Sequence, residues 1–218
     1  MGSSSWLGSN WDFRLLSLAK SGRVSSVDAS SCHSCSDLHW IVDVARTSDE
    51  EISEFISLQT RRFIRRKIMY AFIVRKMVKQ SFEFLNQGNY ESVLEGISPS
   101  ITHTFSGTHA LGGTRHSIEA MRQWFQRLYI LSPELNFTIK NIAVSGLPWD
   151  TTIAVEWVDS AKPADGSAYV NEGVHIIKMR WGKVVYLHAY LDTQLTEALC
   201  NRLAAYGIGE ASAPPIED

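Results

Sequence analysis

The sequence predicts an α+β domain in which a curved antiparallel sheet wraps over N-terminal helices, because helical periodicity comes first and strand periodicity follows. Three observations carry this reading. Tyr70, Val74, Met77 or Val78 and Leu85 recur at helical spacing and form one buried stripe. Leu135, Phe137 and Ile139 alternate with polar residues, and the parity then shifts at Asn141 to Ile142 and Val144, which predicts a bulge. Tyr169 to Asp192 reads as a single hairpin turned at Gly182-Lys183. Its first arm, Tyr169 to Trp181, is 13 residues long. Strands usually run to roughly 3 to 10 residues, so this arm must twist and curl.

The elements follow in order. Residues 1–47 are rich in Ser and Gly, carry Trp6, Trp11 and Trp40, and sustain no period, which predicts a poorly ordered extension. Thr47 or Ser48, followed by Asp49-Glu-Glu, signals a helix start. Helical character persists to Asn86, with a break expected near Thr60, and Gly88 supplies the stop. Residues 48–69 are read as an additional helix and 70–210 as the main domain. A short strand, Ser100 to Phe105, precedes the glycine-rich Gly107 to Gly113 loop, and Thr114 to Leu131 reads as a helix ended by Ser132-Pro133. Thr151 to Val158 is a strand, Lys162 to Gly166 a polar loop, and Gln194 to Tyr206 a final helix stopped at Gly207. Residues 211–218 are read as a tail outside the domain. A bent sheet over helices leaves space at its open end, where small-molecule sites commonly lie.

Composition bounds the function. A 44% hydrophobic and 20% charged chain of 218 residues is ordinary for a globular protein and excludes disorder throughout. The net charge of −2 conceals an asymmetry: Arg61 to Lys79 holds eight basic residues and no acidic one, leaving −10 elsewhere. An acidic main domain argues against nucleic acid as a partner. The basic segment reads as a structural helix with a solvated face, and its longest apolar run, Ile68 to Val74, is far short of the roughly 20 residues that span a bilayer. No membrane partner is expected. Cys32, Cys35 and Cys200 cannot all pair and no secretory signal is evident, so a cytoplasmic location is expected. Cys32-His-Ser-Cys35 with His39 lacks a second pair at zinc-finger spacing, and His103, His109, His116 and His175 match no compact ligand motif, so no metal and no cofactor are expected.

Several strings resemble the SnoaL-like branch of the nuclear transport factor 2-like superfamily, over roughly residues 70–210. They are Leu111-Gly-Gly-Thr-Arg115, Gly146-Leu-Pro-Trp-Asp150, Tyr169-Val-Asn-Glu-Gly-Val-His175, Arg180-Trp-Gly-Lys183 and Tyr190-Leu-Asp192. The resemblance implies a cystatin-like cone, as in ketosteroid isomerase-like proteins, with an apolar pocket for a hydrophobic or polyketide-like molecule. Cofactor-free isomerisation, dehydration, cyclisation or hydrolysis would suit such a pocket; a non-catalytic binding or dimerisation module of the same fold is the alternative. Against limonene epoxide hydrolase-like proteins, Glu156-Trp-Val-Asp159 retains one aspartate but has Trp157 in place of the arginine, and the second aspartate falls at Ala189. Against ketosteroid isomerase-like proteins, the general-base position falls at Thr104.

The candidate residues follow from strand parity and that comparison. His175 shares a face with Asn171, Gly173, Ile177 and Met179, and the comparison turns that face into the cone. His175 and Asp159 are the candidate catalytic pair, since a histidine near its ordinary pKa or a carboxylate beside an apolar cavity can move protons near neutrality. The plainer readings are a histidine satisfied by Asn171 or Asp159 and an aspartate turned toward Lys162. His103, Thr104, Trp157 and Asn171 are the candidate substrate-binding residues. Tyr186, His188 and Tyr190 form the opposite, polar-aromatic face of the last strand and are the candidate contact of a homodimer.

Overall fold

The computed structural model describes residues 49–218. The expectations for residues 1–47, with the Cys32, Cys35 and His39 cluster, and for a cap at Thr47 or Ser48 lie outside the described residues. Two compact units divide the chain, Met1–Ser57 and Leu58–Asp218. Of the first, the described residues are the opening turns of helix α1, Asp49–Asn86, which runs on without the break expected near Thr60.

In the second unit, α1 buries Val74, Val78, Phe82 and Leu85, a stripe spaced by three and four residues. Its C-terminal end is fixed to the sheet by Asn86, whose amide donates to the Phe137 carbonyl at 3.0 Å and accepts from the Phe137 N–H at 2.6 Å. A short helix that periodicity could not reveal, α2 (Tyr90–Leu94), follows, with the Asn89 side chain accepting from the Ser92 N–H. Strand β1 spans Ile97–Phe105 and β2 Gly113–Arg115. Helix α3 covers Ile118–Leu131 and therefore starts four residues later than expected: Ser117 caps it, and Gly113 to Arg115 pair with β1 instead. The remaining elements are β3 (Asn136–Leu147), β4 (Asp150–Ala161), β5 (Tyr169–Arg180), β6 (Lys183–Leu191), α4 (Thr193–Tyr206) and a 3₁₀ turn at Gly209–Ser212.

The six strands form one sheet in the order β2-β1-β6-β5-β4-β3. The pairing of β1 with β6 is parallel and the others are antiparallel, so the sheet is mixed where the run of hairpins predicted antiparallel order throughout. The reason is connectivity, because β1 reaches β6 through helix and crossover and not through a turn. The expected bulge in β3 falls between Ile139 and Asn141, leaving Ile142 and Val144 on the side of the helices. The hairpin of β5 and β6 turns on Trp181 and Gly182, both at positive φ (51° and 80°), the geometry whose twist matches the flanking strands. The tail beyond residue 211 is bonded to the domain. Pro214 and Ile216 carbonyls accept from Arg127 and Arg115, and the Asp218 carboxylate accepts from the His116 N–H and the Ser117 hydroxyl.

Halfway along β5, Gly173 is a packing requirement. A Cβ there would lie 2.4 Å from the Tyr190 carbonyl oxygen and 2.8 Å from the Trp157 ring. Gly173→Ala is expected to lower stability by about 1 to 3 kcal/mol, the usual cost of overpacking, measured as a fall in the urea midpoint at unchanged slope.

Candidate functional site

Between α1, α3 and the concave face of the sheet lies a cavity of about 140 Å³. Its walls are apolar, with Phe82 and Leu85 from α1, Met121 and Leu128 from α3, and Ile153 and Ile177 from the sheet. Polar or titratable groups that interrupt that lining include His103 on β1, Trp157 and Asp159 on β4, and His175 on β5. Strand alternation places them, since each shares parity with buried residues of its own strand.

His175 sits among rings, with centroids 5.7 Å from Phe82, 6.5 Å from Phe137 and 5.1 Å from Trp157. Burial lowers its pKa to about 4, so the imidazole is neutral at pH 7. The partners suggested by the plainer reading are engaged elsewhere. Asn171 gives its amide hydrogens to the Tyr169 hydroxyl, the Asp192 carbonyl and the Thr196 hydroxyl, and its oxygen accepts from the Glu172 N–H. Asp159 accepts from the Asn171 N–H at 3.0 Å.

Asp159 is buried, and desolvation raises its pKa to about 6, opposed by that same N–H. It does not turn toward Lys162, which pairs with Glu134 at 2.6 Å. His175 and Asp159 are not in contact as a pair. Val155 lies opposite His175 and Asp159 opposite Asn171, so four residues of strand, roughly 13 Å, separate them. Trp157 stands between. It is 1% exposed, and its indole N–H is buried with no acceptor among the described residues.

His103 is held from behind by Arg115, which is fully buried and donates from Nη1 to His103 Nδ1 at 3.2 Å. A guanidinium can only donate, so Nδ1 accepts and the neutral ring carries its proton on Nε2. Burial first, and the Arg115 charge second, hold the His103 pKa well below its ordinary value. Arg115 also donates to the carbonyls of Ile216, Leu111 and Gly112. Burial brings its pKa down to about 10, so the guanidinium remains charged at pH 7. A cation behind a neutral imidazole makes the opposite N–H a stronger donor. Sequence reading missed Arg115 because it placed Thr114 to Leu131 in one helix; only the pairing of His103 with Arg115 across β1 and β2 brings the two together.

Two of the proposed binding residues do not line the cavity. Thr104 has the opposite parity to His103, so its hydroxyl meets Thr114 at 3.0 Å on the outer face. Asn171 faces inward, but its hydrogen bonds tie β5 to the start of α4. Tyr186, His188 and Tyr190 lie on the outer face, as parity implied. His188 stacks on Tyr190 at 3.8 Å and bonds to Ser106 and Tyr186. Among the described residues no group of three His, Cys, Asp or Glu side chains could hold a metal ion.

A concave, mostly apolar chamber enclosed by helices and a curved sheet defines the class: an α+β domain of the cone fold. A family model for the SnoaL-like domain matches residues 78–187, half of the chain, and the chain belongs to that family. No curated protein matches. Among solved structures, an NTF2-like protein of unknown function from Burkholderia pseudomallei is 21% identical, with 57% of this chain and 95% of that one covered at a TM-score of 0.51. PrhC from Penicillium brasilianum is 20% identical, with 63% and 93% covered at 0.53. TerC, co-crystallised with polyporic acid, is 17% identical, with 57% and 95% covered at 0.51. At these identities the likeness establishes the fold.

Opposed titrations follow. The lowered pKa of His175 and His103 makes stability rise with pH up to about 6.5, because the unfolded chain binds protons that the folded one refuses. The raised pKa of Asp159 makes stability fall as pH climbs from about 4 to about 6, because there the folded form holds the extra proton. Asp159→Asn removes the second effect. The urea midpoint of the variant should therefore rise more steeply than the wild type's between pH 4 and 6; parallel curves would contradict the burial of this carboxyl.

Proposed function

We propose that the cavity binds a hydrophobic or polyketide-like small molecule that carries an oxygen acceptor. The observation behind this reading is the Trp157 indole N–H, buried without an acceptor among the described residues in the wall of a mostly apolar chamber. An unpaired buried donor costs about 1 to 3 kcal/mol, and a ligand oxygen would remove that penalty. About 140 Å³ is close to the roughly 150 Å³ of an apolar cavity that takes one benzene ring. His103, with its proton on Nε2 and Arg115 behind it, is a second donor for the same ligand class. A protein of the same fold, TerC, was crystallised with polyporic acid, which accords with a small-molecule role.

The cavity also suits cofactor-free acid/base chemistry. Asp159, with a pKa of about 6, is the group poised to exchange a proton near neutrality, and His175 is a neutral donor or acceptor at the other end. Their separation means that one ring cannot bridge them, so a ligand of the cavity's size engages one of them at a time. Isomerisation, dehydration, cyclisation and hydrolysis all fit this arrangement.

Phenol and toluene, matched in size, test the oxygen contact by isothermal titration. Trp157→Phe should weaken phenol about fivefold and leave toluene unchanged, the value of one hydrogen bond. An equal loss for both ligands would remove Trp157 as a donor, and binding of neither would remove the ligand reading. His175→Ala should abolish any turnover while the chain still folds, its urea midpoint lowered only by the lost ring contacts.

A second reading concerns assembly. On the outer face, Tyr190 is 49% exposed and stacks on His188. We infer that this face joins two copies of the chain. Tyr186→Ala with His188→Ala should then halve the mass in light scattering while leaving ligand affinity unchanged; an unaltered mass argues against this interface.

A further inference from the structure

Helix α1 carries a surface that no other described element covers. Between Leu58 and Phe82 there is no acidic residue, while Arg61, Arg62, Arg65, Arg66, Lys76 and Lys79 are all exposed. A solvated basic face would account for those charges alone. It does not account for the large apolar side chains among them: Ile68 is 65% exposed, Met69 57%, Phe72 68% and Ile73 50%.

At 100° per residue, these four residues and the six basic ones lie about a quarter-turn or more from the centre of the buried stripe formed by Val74, Val78, Phe82 and Leu85. They form one continuous face about 33 Å long, from Leu58 to Lys79. Its downstream third lies on turns whose other side is already packed on the sheet. A partner that engulfs a helix is excluded from those turns, whereas a plane can lie along the whole face. Apolar side chains flanked by long cationic ones are also what a headgroup layer accommodates, the rings and aliphatic groups entering and the arginine and lysine stems reaching back toward phosphate.

We propose that this face of α1 docks the protein on an anionic lipid bilayer, with Ile68, Met69, Phe72 and Ile73 entering the interface and the six basic residues meeting the headgroups. Among the described residues no helix is long and apolar enough to cross a membrane, so the attachment is peripheral. The face is separate from the cavity, and the proposal stands whether or not the ligand reading does.

Co-sedimentation of the full chain with phosphatidylcholine vesicles containing 30% phosphatidylserine tests it. Binding is expected at about 0.1 M salt, absent on pure phosphatidylcholine, and released by about 0.5 M salt as the charges are screened. Arg65→Glu with Arg66→Glu should weaken it at least 25-fold, given roughly fivefold for each basic residue lost at an anionic surface. Ile68→Ser with Phe72→Ser should weaken it tenfold or more. All four positions are solvent-exposed, and an unchanged urea midpoint confirms that the variants fold. Three results would overturn the proposal: no sedimentation with anionic vesicles, binding unaffected by both double variants, or binding to calcium-loaded calmodulin in place of vesicles. A loss of self-association on Ile68→Ser with Phe72→Ser, without vesicle binding by the wild type, would assign the face to a second copy instead.

Discussion

The missing side chain at Gly173 is the constraint on which the cavity depends. The Trp157 ring lies where a Cβ would stand, so the indole closes down on β5. Phe137 meets its edge at 5.3 Å and 90°, and Phe82 meets Phe137 at 5.4 Å and 85°. A relay of edge-to-face contacts therefore runs from the sheet to helix α1. Each such pair contributes about 0.5 to 1.5 kcal/mol beyond the area it buries. His175 is framed by the same three rings, and its place is set by packing before any chemistry is asked of it.

Desolvation acts on the two ends of the chamber in opposite directions. It removes the proton from the imidazoles and retains one on the carboxyl, bringing all three groups closer to neutrality. The exception is Arg115, a buried cation with carbonyls and an imidazole for partners and no carboxylate among its hydrogen bonds. Its field falls on His103, so the chamber is polarised from one wall by a cation that does not itself line it.

How far the sequence could be read depended on what fixed each strand's parity. β4 and β5 are long and end in recognisable turns, so Trp157, Asp159 and His175 could be assigned to the inner face. In β1 the polar Thr-His-Thr run gives no alternation of its own, and the family comparison pointed at Thr104 when the cavity-facing residue is its neighbour His103. Asn171 shows a different limit: parity gives the side of the sheet, but not whether the amide is already satisfied, and here the Thr196 hydroxyl and the Asp192 carbonyl from the start of α4 take it. Arg115 was legible as part of a family string and illegible as a site residue, because a three-residue strand has too little pattern to separate it from the helix that follows. On α1 the basic run was plain in the sequence. The exposure of Phe72 and Ile68 was not, since an apolar residue beside a buried stripe reads as part of the core.

The last residues of the chain are coupled to the cavity through two hydrogen bonds. The Ile216 carbonyl holds Arg115 Nε at 2.8 Å, and Arg115 holds His103. Cleavage before Pro214 would leave the lining intact and take away one of the carbonyls that offset the buried charge. The polarity of the chamber is thus set in part by a segment that lies outside its walls.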